Sequence, residues 1–177
     1  LDSIILCFIL FINAFNMYDG INLQSSLYSL IIIIYLLMVI KFHYFLLLIG
    51  ISISFFLFLN FNNKSFLGDG GTYLISFILS YTIVKNYNLN LINFADEIFI
   101  LMMIPGIELL RLALQRISKG MSPFQADREH LHHYLEGYFG IYKTNLILCA
   151  LVIVPLFLLQ YLSNLLVGIG VLIIYLL

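Results

Sequence analysis

Long apolar runs broken by short polar punctuations organise this chain. The runs are roughly Ser3–Asn16, Leu27–Ile40, Tyr44–Leu59, Thr72–Val84, Ile98–Leu114 and Leu146–Leu177. A helix that crosses a bilayer needs about 20 apolar residues, so each run reads as a spanning segment or most of one. The last is too long for one helix. Gln160, Ser163 and Asn164 interrupt it, which makes two helices there and about seven in all. Phe, Ile and Tyr also suit strands, but membrane barrel strands alternate polar and apolar residues and these runs do not. The pattern therefore predicts an all-α, polytopic transmembrane bundle, with residues 1–177 forming a single membrane domain.

The punctuations fix the expected topology. Successive loops alternate sides, so Met17–Ser26, Asn60–Gly71 and Gln115–Asn145 share one side. That side, with the helix ends feeding it, carries Lys64, Arg111, Arg116, Lys119, Arg128 and Lys143, while the other carries Lys41 and Lys85. The excess of basic residues makes the first side cytoplasmic.

Composition agrees with a bilayer as solvent. The chain of 177 residues is 63% hydrophobic and 10% charged, against about a quarter charged in soluble domains. A net charge of −1 gives no footprint for nucleic acid. Cys7 and Cys149 lie in apolar stretches and read as buried thiols rather than a disulfide framework. No basic region precedes the first apolar run, so no cleavable signal peptide is expected.

The scarce polar chemistry is gathered into three segments, all on the expected cytoplasmic side. In "NAFNMYDGIN", Asn13, Asn16 and Asp19 follow i, i+3, i+6, which aligns two amides and a carboxylate on one helix face. Such a face holds a polar ligand; the alternative is a helix C-cap with Gly20 in the left-handed position. In "FLGDGGTYL", glycines flank Asp69 just before a new span. Asp69 then either N-caps that helix or holds a hard cation such as Mg²⁺. The third segment, "PGIELLRLALQRISKGMSPFQADREHLHHYL", gathers Arg111, Arg116, Asp127, Arg128 and three of the chain's four histidines, His130, His132 and His133. Asp127, His130 and His133 again follow i, i+3, i+6, with His132 and Arg128 pointing elsewhere. Histidines with a carboxylate bind zinc, and arginine with protonated histidine clamps phosphate oxygens; a basic loop at a membrane surface is the plainer reading. Together the three segments suit a diphosphate bridged to Mg²⁺, where catalysis is positioning plus charge neutralisation.

In order and spacing these segments resemble the polyprenyl-phosphate N-acetylhexosamine-1-phosphate transferases, and within them the bacterial enzymes that load undecaprenyl phosphate with N-acetylglucosamine-1-phosphate. The resemblance implies a multi-pass enzyme of the plasma (inner) membrane, active at its cytoplasmic face and serving cell-wall or polysaccharide biosynthesis. It moves an N-acetylhexosamine-1-phosphate from a UDP-sugar to polyprenyl phosphate and releases UMP. It implies Mg²⁺ on Asp69 and Asp19. Asn13 and Asn16 would line the nucleotide-sugar site, and Arg116, Asp127, Arg128, His130, His132 and His133 would contact sugar and diphosphate, the histidines with Asp19 and Asp69 as catalytic groups. A second copy of the chain is a candidate partner.

The sequence departs from the family pattern in several places. The pattern runs D-G-x-D-G-L, and here Asn22 stands for the second carboxylate and Leu23 for the second glycine. Thr72, Ser76 and Glu108 replace the common Ser, Gly and Asp. The D-D-x-x-D motif that precedes these segments in the family does not occur within residues 1–177, so the chain reads as the C-terminal half of such an enzyme, expected to be inactive alone. The competing expectation is a non-catalytic half-domain or a transporter-like bundle, although transporters place polar groups at mid-span, where these spans are clean.

Overall fold

A computed structural model describes residues 2–40, 43–92, 95–123 and 129–176. Among them run seven α-helices: α1 Asp2–Tyr18, α2 Gln24–Val39, α3 Tyr44–Phe61, α4 Gly68–Asn88, α5 Ala95–Ser118, α6 Leu131–Leu158 and α7 Asn164–Leu176. No strand occurs among the described residues. The long terminal run divides where Gln160–Asn164 interrupts it. Two helices, Tyr44–Phe61 and Leu131–Leu158, are long and apolar enough to cross a membrane; shorter apolar helices cover Leu6–Tyr18, Gln24–Val39 and Asn164–Tyr175.

The α1 helix packs on α4 and α5, and α2 on α3 and α6, with α7 closing against α5 and α6. The core is drawn from all seven helices. Phe15 of α1, Ile32 and Leu36 of α2, Leu46 of α3, Leu79 and Ile83 of α4, Leu101 of α5, Val152 of α6 and Val171 of α7 are all buried. On α3 the opposite surface stays apolar and exposed at Leu48, Ile51, Phe55 and Phe58, as expected of a surface whose solvent is hydrocarbon. Three hydroxyls in the apolar helices bond within their own helix: Ser29 donates to the Ser25 carbonyl at 2.6 Å, Ser80 to Ser76 at 2.8 Å and Thr82 to Ile78 at 2.7 Å.

Two prolines sit inside helices, Pro105 in α5 and Pro155 in α6. Proline has no N–H, so Pro105 leaves the carbonyl of Leu101 without its helical donor. The hydroxyl of Tyr28, buried on α2, donates to that carbonyl instead. The α6 helix is broken at Gly140, whose φ of 74° and ψ of 164° lie outside the range of residues with a Cβ. A short arm, residues 131–139, therefore leads into the longer membrane-length portion. The sequence pattern places the helix start at Leu146; it begins at Leu131, because the polar histidine turn is itself helical.

Cys7 is exposed rather than buried, and Cys149 is half-buried; both are free thiols. Cys7 lies on an outward face of α1, which hydrophobicity alone does not distinguish from an inward one.

Candidate active site

The three polar segments meet at one end of the bundle, where α1, α3 and α5 end and α2, α4 and α6 begin. The junction of the first two is a pair of polar contacts between α1 and α4. The Thr72 hydroxyl lies 2.5 Å from Asn16 Oδ1 and 2.9 Å from the Asp69 carbonyl, and Asn16 Nδ2 donates to the Tyr73 hydroxyl at 3.3 Å. Asn16 is thereby fixed on the first turn of α4, the turn that carries Asp69. Gly68 opens that turn at φ 63°. Asp69 is exposed and is the second residue of α4; Leu67 occupies the N-cap and no side chain caps the helix. The capping role expected for Asp69 is thus not the one it plays. Its carboxylate is left free at a helix N-terminus, where negative charge is favoured.

Asp19 follows α1 and is half-buried. Burial holds its carboxyl above the ordinary carboxylate range; the nearby Ser25 hydroxyl works against this, and the negative charge of Asp69 adds to it. The two carboxylates thus share one field. Asn13, one turn earlier, is exposed and donates to the Ile9 carbonyl at 2.7 Å; its carbonyl oxygen stays available.

The first and third segments meet at Gly20. Its φ is not positive, so the alternative of a left-handed cap there is not realised; in this connection it is Leu23 that turns left-handed, at φ 77°. The need for glycine is different. A Cβ at position 20 would lie 1.7 Å from His132 Nε2 and 2.3 Å from His132 Cε1. The His132 ring rests directly on the backbone beside Asp19. His132 is 2% exposed, and its Nδ1 lies 3.5 Å from Gln24 Nε2. The expectation that His132 points away from its neighbours is overturned. Its ring centroid is 5.0 Å from that of His130 and 4.4 Å from that of His133. The order His-Leu-His-His at the start of a helix brings all three rings to one place.

The remaining candidates divide. Arg116 is buried and donates to the Pro123 carbonyl at 2.7 Å, so it orders the turn that leads to the histidines. Asp127 and Arg128 lie outside the described residues. Lys119 pairs with Glu129 at 2.7 Å.

Asparagines that the sequence reading left aside knit the loops beneath the site. Asn60, buried at the end of α3, accepts from the Leu23 N–H at 2.7 Å and donates to the Ser65 carbonyl at 2.7 Å. Asn22 donates to Asn63 Oδ1 at 2.7 Å, and Asn145 donates to the Asn22 carbonyl at 3.0 Å. Position 22 is where the family pattern has a carboxylate. Here it is used as a donor, which a carboxylate is not.

Mg²⁺ takes one or two carboxylates together with waters and substrate phosphates. Asp19 and Asp69, sharing one field beside the amide of Asn16, fit that requirement. Among the described residues no three His, Cys, Asp or Glu side chains are grouped to hold a metal ion. Asp127, the carboxylate of the zinc alternative, lies outside the described residues.

Comparison with known proteins places this arrangement. The sequence model of glycosyl transferase family 4 matches residues 3–87, the stretch that carries Asn13, Asn16, Asp19 and Asp69. Over that stretch the chain is similar to glycosyl transferase family 4. Among family relatives, the undecaprenyl-phosphate alpha-N-acetylglucosaminyl 1-phosphate transferase of Yersinia pestis is 31% identical over 144 residues, 70% of this chain and 37% of the relative. The protein of that name from Escherichia coli strain K12 is 32% identical over 74 residues, 41% of this chain and 20% of the relative. That from Haemophilus influenzae is 32% identical over 77 residues, 41% of this chain and 21% of the relative. The chain thus matches between about a fifth and somewhat over a third of the length of these curated relatives. No solved structure matches.

Proposed function

We propose that this chain supplies the nucleotide-sugar and metal-binding part of a membrane enzyme that transfers N-acetylhexosamine-1-phosphate from a UDP-sugar to undecaprenyl, or another polyprenyl, phosphate, releasing UMP. The observation that carries the reading is the convergence of the three polar segments: Asn16 is tied to the Asp69 turn, and His132 lies on Gly20 beside Asp19. The family match and the relatives' names supply the reaction class.

On this reading the seven helices span a plasma membrane with the site at the cytoplasmic face. That orientation puts Lys64, Arg111, Arg116, Lys119 and Lys143 on the inside. The site's residues divide the work. Asp19 and Asp69 would hold Mg²⁺, which when bound neutralises diphosphate charge and stabilises the departing UMP. Asn16, held by Thr72 and Tyr73, and Asn13 offer amides to the nucleotide sugar. His130 and His133 present imidazoles to sugar and diphosphate, with His132 wedged behind them as support. Hydrogen bonds and positive charge directed at phosphate oxygens lower the barrier most when they are fixed before substrate arrives. Asp127 and Arg128 complete the expected contacts.

The test is Mg²⁺-dependent transfer of label from UDP-N-acetyl[³H]glucosamine to undecaprenyl phosphate, with the chain joined to an N-terminal half bearing D-D-x-x-D. Asp69→Asn and Asp19→Asn are each expected to reduce turnover by roughly a hundredfold or more while membrane insertion persists, a loss in the range of other preorganised charge-stabilising groups. Normal turnover by both variants would contradict the assignment.

A further inference from the structure

Glu108 is a heavily engaged carboxylate, and the reaction as proposed does not use it. It sits on α5 and is 3% exposed. Arg111 Nη2 donates to Oε1 at 2.9 Å, and Arg111 Nε to Oε2 at 3.1 Å. The Tyr175 hydroxyl of α7 donates to Oε2. The backbone N–H of Leu131 donates to Oε1 at 2.8 Å, and His130 Nδ1 lies 3.5 Å from the same oxygen. Arg111 also donates to the Glu129 carbonyl at 2.7 Å.

We propose that Glu108 is a positioning residue that fixes the orientation and tautomer of His130 and anchors the first turn of α6 at the site. The inference rests on the function proposed above for its consequence, but not for its geometry. Leu131 is the first residue of α6, and the first N–H groups of a helix have no partner within it. His130 occupies the N-cap without a side-chain bond to the helix. Glu108, reaching across from α5, supplies the missing acceptor, and its charge also suits the positive end of the helix. The same oxygen faces Nδ1 of the His130 ring. At 3.5 Å no hydrogen bond is formed, but an ionised carboxylate only accepts, so its charge favours the proton on Nδ1 and leaves Nε2 as the acceptor. Arg111 and Tyr175 neutralise and hold the carboxylate, so its buried charge is paired. The chain of contacts then runs from Glu108 through His130 to the stacked His132 ring and on to Gly20, next to Asp19. Nothing places Glu108 against substrate, so its effect passes through His130.

The experiment is ¹⁵N NMR of the four histidine rings in detergent or nanodiscs, at about two pH units above the ordinary imidazole value near 6.5 so that the rings are neutral. The wild-type protein, Glu108→Gln and Glu108→Asp are compared. Glu108→Gln keeps the volume but ends the charge. Glu108→Asp keeps the charge and the pairing with Arg111 but withdraws the oxygens from Leu131 and His130. The wild-type His130 is expected as the Nδ1–H tautomer, and both variants are expected to shift it toward Nε2–H while His43 stays unchanged. An Nε2–H tautomer in the wild type, or Nδ1–H retained in both variants, overturns the proposal. The readout is independent of sugar-phosphate transfer, so a tautomer change in this chain together with no transfer by the chain joined to its D-D-x-x-D half contradicts the function proposed above and leaves this inference standing.

Discussion

Gly20 and His132 are in contact so close that no side chain fits between them: the nearest imidazole atom stands 1.7 Å from where a Cβ on Gly20 would be. One residue follows α1 and the other opens α6, and the contact joins the carboxylate segment to the histidine segment. The glycine after Asp19 is therefore required by approach, not by a turn.

This contact predicts a coupled pair of substitutions. Gly20→Ala forces the imidazole or the backbone to move and is expected to cost about 1–3 kcal/mol, the usual range for overpacking. In a His132→Ala background the three ring atoms that the methyl would strike are gone, and the same change is expected to cost well under half as much. A double-mutant cycle by reversible unfolding in mixed micelles reads the difference. Additive costs would mean that the two residues do not touch in the folded protein.

Tyr28 and Pro105 predict a second coupling. Tyr28 takes the Leu101 carbonyl that Pro105 leaves without a donor. Tyr28→Phe strands that carbonyl in an apolar core and is expected to cost about 1–3 kcal/mol. Restoring the helical N–H with Pro105→Ala is expected to remove most of that cost. The same unfolding measurement checks it: an equal penalty in both backgrounds would show that the hydroxyl is not serving the proline gap.

Asn60 predicts a loop effect. Its amide is the partner of both the Leu23 N–H and the Ser65 carbonyl. Asn60→Leu is expected to speed amide hydrogen exchange in residues 62–67 and 21–24 together, with a stability loss of about 1–3 kcal/mol for each group left buried without a partner. Faster exchange in one loop alone would mean that the two are not tied through this side chain.

Much of the fold is legible in the hydrophobic pattern because apolar runs mark helices whatever their partners are. The pattern fails at helix ends. The α4 helix extends from Gly68 to Asn88 rather than from Thr72 to Val84, and α6 starts at Leu131 rather than Leu146, since polar residues continue a helix beyond its apolar part. The candidate site is legible as residue types: Asp19, Asp69, Asn16 and the histidines do gather at one end. Their roles are less so. The reason for Gly20 lies in a residue more than a hundred positions away, and Glu108 reads in sequence as a departure from an expected aspartate. Only the meeting of α5, α6 and α7 shows what its carboxylate holds. The resemblance makes Arg116 a contact to sugar and diphosphate; only the folded loop shows that it is buried and bonds the Pro123 carbonyl as well.

The central claim is that Asp19, Asp69 and the histidine turn serve transfer of a sugar together with its phosphate. The most direct measurement uses UDP-N-acetylglucosamine labelled with ³²P at the β-phosphate, in proteoliposomes containing undecaprenyl phosphate, Mg²⁺ and the chain joined to its D-D-x-x-D half. The account predicts that the ³²P enters the lipid fraction with the sugar, that one UMP appears for each lipid-linked product, and that Asp69→Asn abolishes both. Release of labelled UDP with sugar alone on the lipid, or transfer undiminished by Asp69→Asn, would contradict it.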